Sequence, residues 1–382
     1  MFVKSLHSAL VLSLSAFVST LLSLSQASPA QTPKIVSIDA PWAGTAAGQG
    51  TYAFVVTPTG VIMGEYIDAN GAYHGFLRSS EGAFTSFDAP GSGGASGQGT
   101  QPYSMNTAGE ITGGYVDANG SSHGFVRSRD GAITTFDIAN AGNGACNPEI
   151  ICASGTQGAS ISPNGTISGQ YSDNNGVFHG FVRFKDGTIR SFDAPGAGTN
   201  SGLGTFVTYT DGINPAGAIA GGYADANGGF HALVRNQDGT IAEFDPPGSV
   251  FTNNSGITPN GTVTSYYIDA SSVLHGYIRV SDGTFTYFDI SGAGTGASQG
   301  TEPLNINAGG DITGAYIDSN GSNHGFLRYA SGVITKFDVE NAGTGSGQGT
   351  VPFNNNPANA ICGYYVDANG VNHGFLRNSP PK

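Results

Sequence analysis

Glu110-Ile-Thr-Gly-Gly-Tyr115-Val-Asp117-Ala-Asn119-Gly120-Ser-Ser-His123-Gly-Phe125-Val-Arg127 is one copy of a phrase that the chain writes seven times. Its histidines are His74, His123, His179, His231, His275, His324 and His373, every histidine except His7. They are separated by 49, 56, 52, 44, 49 and 49 residues. Within the phrase, apolar and small residues alternate up to Asp117, as in a strand. Asn119-Gly120 supplies the positive φ of a hairpin turn, and a second strand follows from His123 to Arg127. Such a unit cannot bury its own faces, so a period near 50 residues requires stacking against further copies.

Working outward, Thr100-Gln-Pro-Tyr-Ser-Met-Asn106 reads as a short first strand and Ala132-Ile-Thr-Thr-Phe-Asp137 as a fourth. An apolar-Asp step recurs at Asp39, Asp88, Asp137, Asp193, Asp245, Asp289 and Asp338, out of phase with the histidines. The first copy, Lys34-Ile-Val-Ser-Ile-Asp39, precedes any histidine phrase, and the last strand is His373-Gly-Phe-Leu-Arg377. The expected fold is therefore all-β, a seven-bladed β-propeller of four-stranded antiparallel blades. The N-terminal strand would complete the C-terminal blade, leaving no free edge. One domain over residues 34–378 is expected, with blades at 49–91, 98–141, 155–197, 203–247, 249–291, 299–341, and 348–378 plus 34–41. No segment has a helical period.

Composition narrows the function. Met1-Phe-Val-Lys4 precedes an apolar stretch, and Ser25-Gln26-Ala27 offers small residues for cleavage, so residues 1–27 read as a secretory signal peptide. No later stretch is apolar enough to span a bilayer. A secreted, extracellular or periplasmic protein is expected. Net charge is −13 with no basic patch, which argues against nucleic acid as a partner. Cys146 and Cys152 fall in the interval lengthened to 56 residues and read as a disulfide across an insertion, while Cys362 reads as a buried strand residue.

Folding the two hairpins places Asp117, His123 and Asp137 at one end of a blade. The same holds for Asp68, His74 and Asp88, and for Asp318, His324 and Asp338. An imidazole between two carboxylates can donate from both nitrogens, and the triplets read as structural networks. Tyr115 and Phe125 read as core, and Arg127 as a snorkelling or locally paired side chain. The repeated aspartates concentrate charge on one face, where Asp117 and Asn119 offer oxygens to a calcium ion; the histidine in their place of a distal carboxylate is a poor calcium ligand. Beyond that, no cofactor is implied.

The phrase Ile306-Asn307-Ala-Gly309-Gly-Asp-Ile312-Thr-Gly314, followed by His324-Gly-Phe-Leu-Arg328, resembles the bacterial extracellular HAF-repeat proteins. The resemblance runs from about Lys34 to Arg377. This chain departs from the family's His-Ala-Phe step, writing Gly in the middle position six times; only His231-Ala232-Leu233 keeps the alanine. The resemblance implies an exported, propeller-like repeat protein and brings no reaction, substrate or catalytic residue.

Seven equal sites are more readily scaffold than chemistry, so function is sought where the phrase breaks. After the Gly-Thr step of the first strand stand Tyr52, Gln101, Phe206, Glu302 and Val351. Tyr52, Gln101, Phe206 and Glu302 are the candidate ligand contacts at the mouth of a central channel. Before the second-strand tyrosine stand Glu65, Gly114, Gln170, Gly222, Tyr266, Ala315 and Tyr364. Glu65 and Glu302, the only carboxylates in these slots, are the candidates for a catalytic pair. No Ser-His-Asp order, zinc spacing or phosphate loop occurs. The expected function is a non-catalytic binding or adhesion module for an extracellular protein or glycan. The alternatives are a propeller hydrolase or lyase acting on polysaccharide, and a structural envelope or matrix protein. The unit after Asp245 is the most irregular, with the short link Pro246 to Ser255, and it is where a partner is first sought.

Overall fold

The computed structural model describes residues 33–142 and 155–379. Strands, turns and bends account for every assigned element, with no helix among the described residues. Each repeat runs first strand, second strand, third strand, fourth strand, antiparallel throughout; in the second repeat these are Gly99–Met105, Ile111–Val116, Ser122–Arg127 and Ile133–Phe136. The ring closes where Ile35–Ile38 pairs antiparallel with Asn372–Arg377, Ile35 opposite Arg377 and Ile38 opposite Gly374.

The expectation of a seven-bladed propeller of four-stranded antiparallel blades is not met. All 29 strands belong to one continuous, closed, propeller-like sheet. The joints are parallel contacts between the start of each third strand and the next first strand, such as Tyr73 with Gly99, Leu274 with Gly300 and Asn372 with Gly50. The physical cause lies in the Gly-Thr step. Gly99 has φ +115°, and a Cβ there would stand 2.0 Å from the Tyr73 carbonyl oxygen, so only glycine lets the next repeat approach this closely. Thr100 then accepts the Ala89 backbone N–H on its hydroxyl at 2.9 Å, tying the incoming link to the same strand. The fifth repeat departs further: its first strand is split into Ser249–Thr252 and Gly256–Ile257.

Between repeats the core is aromatic. Phe76, Phe125, Phe181, Phe326 and Phe375 of the third strands are fully buried, each contributing about 2–3 kcal/mol by burial. The fourth-strand Phe87 meets Phe125 of the next repeat edge-on at 6.4 Å, and Arg127 lies over its other side at 4.9 Å. Arg127 is thus buried and stacked on a neighbouring repeat rather than snorkelling, and it is paired locally, its guanidinium donating to the Ser128 carbonyl at 3.3 Å. The glycine of His-Gly-Phe has a steric origin too: a Cβ on Gly124 would stand 2.6 Å from the Phe136 ring. Where Ala232 replaces it, Phe244 keeps the equivalent contact with Tyr277 of the next repeat and also meets Phe285. Cys362 is fully buried in its strand. Cys146, Cys152 and residues 1–27 lie outside the described residues.

Candidate functional site at the channel mouth

The repeated histidines form one structural unit, used seven times. Each Nδ1–H donates to the fourth-strand aspartate at 2.6–3.1 Å, as in His74 to Asp88, His123 to Asp137 and His324 to Asp338. Each Nε2 stands 3.5–3.9 Å from the second-strand aspartate, among them Asp68, Asp117 and Asp318. Each ring stacks on the second-strand tyrosine at 4.8–5.1 Å between centroids. Asp117 also caps its own turn: Oδ1 accepts the N–H groups of Asn119 and Ser121 at 2.8 and 2.9 Å, and Oδ2 accepts Asn119 Nδ2 at 3.1 Å. Partial burial works against ionisation, but these donors and His123 hold the Asp117 carboxyl below its ordinary range. A calcium ion does not fit this donor set well: Asp117 accepts three donors from its own turn, and the next side chain is His123, a poor calcium ligand where a further carboxylate would be wanted.

The variable slots lie elsewhere. First strands of neighbouring repeats touch one another and so form the inner wall of the ring. The two variable series named from sequence are cross-strand partners on that wall: Tyr52 opposite Glu65, Gln101 opposite Gly114, Phe206 opposite Gly222, Glu302 opposite Ala315, and Val351 opposite Tyr364. Gln157, opposite Gln170, occupies the same slot. A bulge two residues further on re-aims Phe54, Tyr103, Leu304 and Phe353, which remain half-buried at the same wall.

The fourth repeat breaks this pattern with a plug. Its first strand stops at Val207, and nine positions separate Thr205 from Asn214, against six between Thr100 and Asn106. The extra chain reaches five other repeats. Tyr209 donates to Gln157 Oε1 at 2.8 Å, accepts from Gln170 Nε2 at 3.0 Å and packs edge-on against Tyr103 at 4.7 Å. The Thr210 hydroxyl donates to the Tyr103 carbonyl, and the Gly212 N–H to the Ser160 hydroxyl. Asp211 Oδ2 accepts Asn305 Nδ2 at 2.8 Å and Asn354 Nδ2 at 2.9 Å, and its carbonyl accepts the Ile257 N–H at 3.1 Å. Thr210 and Asp211 both hold left-handed φ, 44° and 48°, at about 1–2 kcal/mol each. Burial pushes the Asp211 carboxyl up, against the pull of its two asparagine donors.

The plug has a cavity on either side. One, of about 230 Å³, is rimmed by Pro58, Pro163, Pro215, Pro259 and Pro357 and has Asp211 in its wall. The other, of about 600 Å³, has Tyr209 and Thr210 in its wall and falls within the range of roughly 300–1,000 Å³ usual for small-molecule sites. It is aromatic. Phe178, Phe206, Phe230 and Phe251 follow one another at 4.6, 5.1 and 5.0 Å between centroids, and Phe353 and Leu304 face them. Gly221 and Gly222 leave its floor without side chains, and Gln170, Thr208, Asn253 and Asn254 supply polar groups.

Beside this cavity runs a collar of tyrosines and carboxylates. Phe353 stacks on Tyr364 at 5.6 Å, Tyr364 meets Tyr52 at 4.8 Å, and Phe251 stacks on Tyr266 at 6.1 Å. Burial pushes Glu65 up to about 8 and Glu302 up to about 6. Burial also raises Tyr364 and Tyr266 to about 12, with Glu302 adding to both, while Tyr52 is raised by burial and then by Tyr364 and Glu65.

Of the residues singled out from sequence, Phe206 lines the cavity directly, and Tyr52 and Glu302 belong to the collar. Gln101 accepts the Tyr103 hydroxyl at 3.3 Å and lies on the same wall. Glu65 lies near Tyr52, and Glu302 near Tyr364 and Tyr266, with no hydrogen bond between the two carboxyls among the described residues. The irregular link after Asp245 does reach the cavity, through Phe251, Asn253, Asn254 and Ser255. Sequence reasoning missed Phe178, Phe230, Tyr209 and Asp211. The 52-residue interval between His179 and His231 carried the signal for the plug, since it exceeds the common 49 by the three inserted residues.

No family model and no curated protein matches this chain. Solved structures do. The BP39L lectin from Burkholderia pseudomallei aligns with a TM-score of 0.55 at 13% identity, covering 92% of this chain and 98% of that one. A fucose-specific lectin from Aleuria aurantia aligns at 0.42 and 15% identity, over 81% and 96%. Dipeptidyl peptidase 4 from Porphyromonas gingivalis aligns at 0.45 and 11% identity, over 83% and 51%. At these identities the likeness to BP39L shows a shared fold.

Proposed function

We propose that this chain is a non-catalytic carbohydrate-binding module that takes its ligand in the 600 Å³ cavity at the channel mouth. The cavity itself carries the reading: it is built where the repeat breaks, from aromatic faces for the apolar side of a sugar ring and a few amides and hydroxyls for its edge. The BP39L neighbour, which shares the fold over nearly its whole length, is a lectin, and that agrees with the assignment. Residues 1–27 are taken as an export signal, so the glycan would be extracellular or periplasmic. The resemblance to HAF-repeat proteins points the same way. Among the described residues, no helix is long and apolar enough to cross a membrane.

The test is a glycan screen followed by titration calorimetry with Phe206→Ala and Phe230→Ala. Saturable binding that both substitutions weaken supports the cavity. Saturable binding that neither alters puts the ligand elsewhere and overturns the assignment.

A further inference from the structure

We propose that the collar of Tyr52, Glu65, Tyr364, Glu302 and Tyr266 receives a positively charged ammonium group of the ligand, and that the sugar held next to it is therefore an amino sugar. The second half rests on the carbohydrate reading; the first does not.

Three observations meet here. First, the collar holds carboxylates without protein cations. No lysine or arginine occurs in any first or second strand, and all described ones lie on third or fourth strands, in their turns, or just before the first described strand. Among the described residues the one Lys–Glu pair is Lys185 with Glu110, so no cation is paired with Glu65 or Glu302. Second, Glu65 is 7% exposed, and its buried Oε2 has no hydrogen-bond partner. An unpartnered buried carboxylate oxygen is costly and asks for a donor from outside the chain. Third, the groups around these carboxylates are ring faces. Tyr52 and Tyr364 meet at 4.8 Å, Phe54 and Phe353 at 5.2 Å, and Phe353 and Phe251 continue into the cavity wall. Aromatic faces attract an ammonium group through their quadrupole, most strongly where water is excluded.

The arrangement suits an ammonium better than a metal ion. Its donors are two carboxylates among aromatic rings, and a hard cation would want six or more oxygens. An ammonium needs only one or two acceptors and tolerates π-faces for the rest. Binding should also expel a proton. Glu65, raised by burial, is largely protonated near neutrality, and an arriving cation favours its ionised form.

The experiment compares a β-1,4-linked glucosamine oligosaccharide, its N-acetylated counterpart and tetramethylammonium by calorimetry, in two buffers of different ionisation enthalpy. The amine form should bind at least about tenfold more tightly than the N-acetylated form. Glu302→Gln should erase that preference, and proton release should accompany only the cationic ligands. Equal binding of the two sugars overturns the ammonium proposal and leaves the carbohydrate reading standing. Binding of tetramethylammonium alone supports the collar and counts against the sugar. If neither cation binds, or if Glu302→Gln weakens all ligands alike, the collar is not a cation site.

Discussion

Glu65 is the side chain whose replacement tests the description of the channel wall most directly. Its carboxyl is buried against Tyr52, without a cation, and is pushed up to about 8 from an ordinary value near 4.5. Between those two values the folded chain binds more protons than the unfolded one. Stability due to this group is therefore present at low pH and lost as pH rises through the folded value. The rise from about 4.5 to about 8, at about 1.36 kcal/mol for each tenfold change in proton affinity, sets an upper bound of about 5 kcal/mol on the cost of ionising Glu65 in place. Glu65→Gln keeps the shape and removes the titration. Denaturant unfolding of both proteins at about pH 5 and about pH 9 reads the difference. Near pH 5 the two should differ little; near pH 9 the variant should be the more stable, by a few kcal/mol within that bound. Parallel stability curves across this range would refute the account, because they would mean that Glu65 ionises in water or beside an unrecognised partner.

Other expectations follow from the same geometry. Phe206→Ala should weaken the cavity ligand by about tenfold or more, read by calorimetry, since it removes the centre of the four-ring ladder. Asp211→Ala should cost about 2–4 kcal/mol in denaturant unfolding and speed amide exchange over residues 208–213, because Asn305 and Asn354 lose their shared acceptor. His123→Ala should cost only about 1 kcal/mol and leave ligand affinity unchanged, its partners being partly exposed and one of seven equivalent sets. Adding a chelator should not move the thermal midpoint, as the Asp117 oxygens are already satisfied by Asn119 and Ser121.

Much of the scaffold could be read from the residues. Asn119-Gly120 announced a hairpin, the alternation from Ile111 to Val116 announced a strand, and the slots of Tyr52 and Glu65 stood out as variable, although their pairing across the strands did not. These are local signals, carried by φ preferences and by the two-residue period of a strand. The expectation of four-stranded blades left one local signal unused: Gly99 opens the first strand, and its positive φ admits a parallel contact with Tyr73 that joins the repeats into one sheet.

The repeated phrase by itself determined the all-β ring, its turns, its aromatic core and the Asp–His–Tyr clusters, because every partner in those features lies within one repeat or at a fixed offset in the next. The 52-residue interval marks the insertion, but the contacts of the plug and the cavity beside it were decided by the tertiary structure. Asp211 meets Asn354 across 143 residues, and Thr210 meets Tyr103 across 107. Three inserted residues have no preferred partner in the sequence. Only the closed ring, with first strands converging on a common axis, brings five repeats within their reach and leaves the aromatic space above them open.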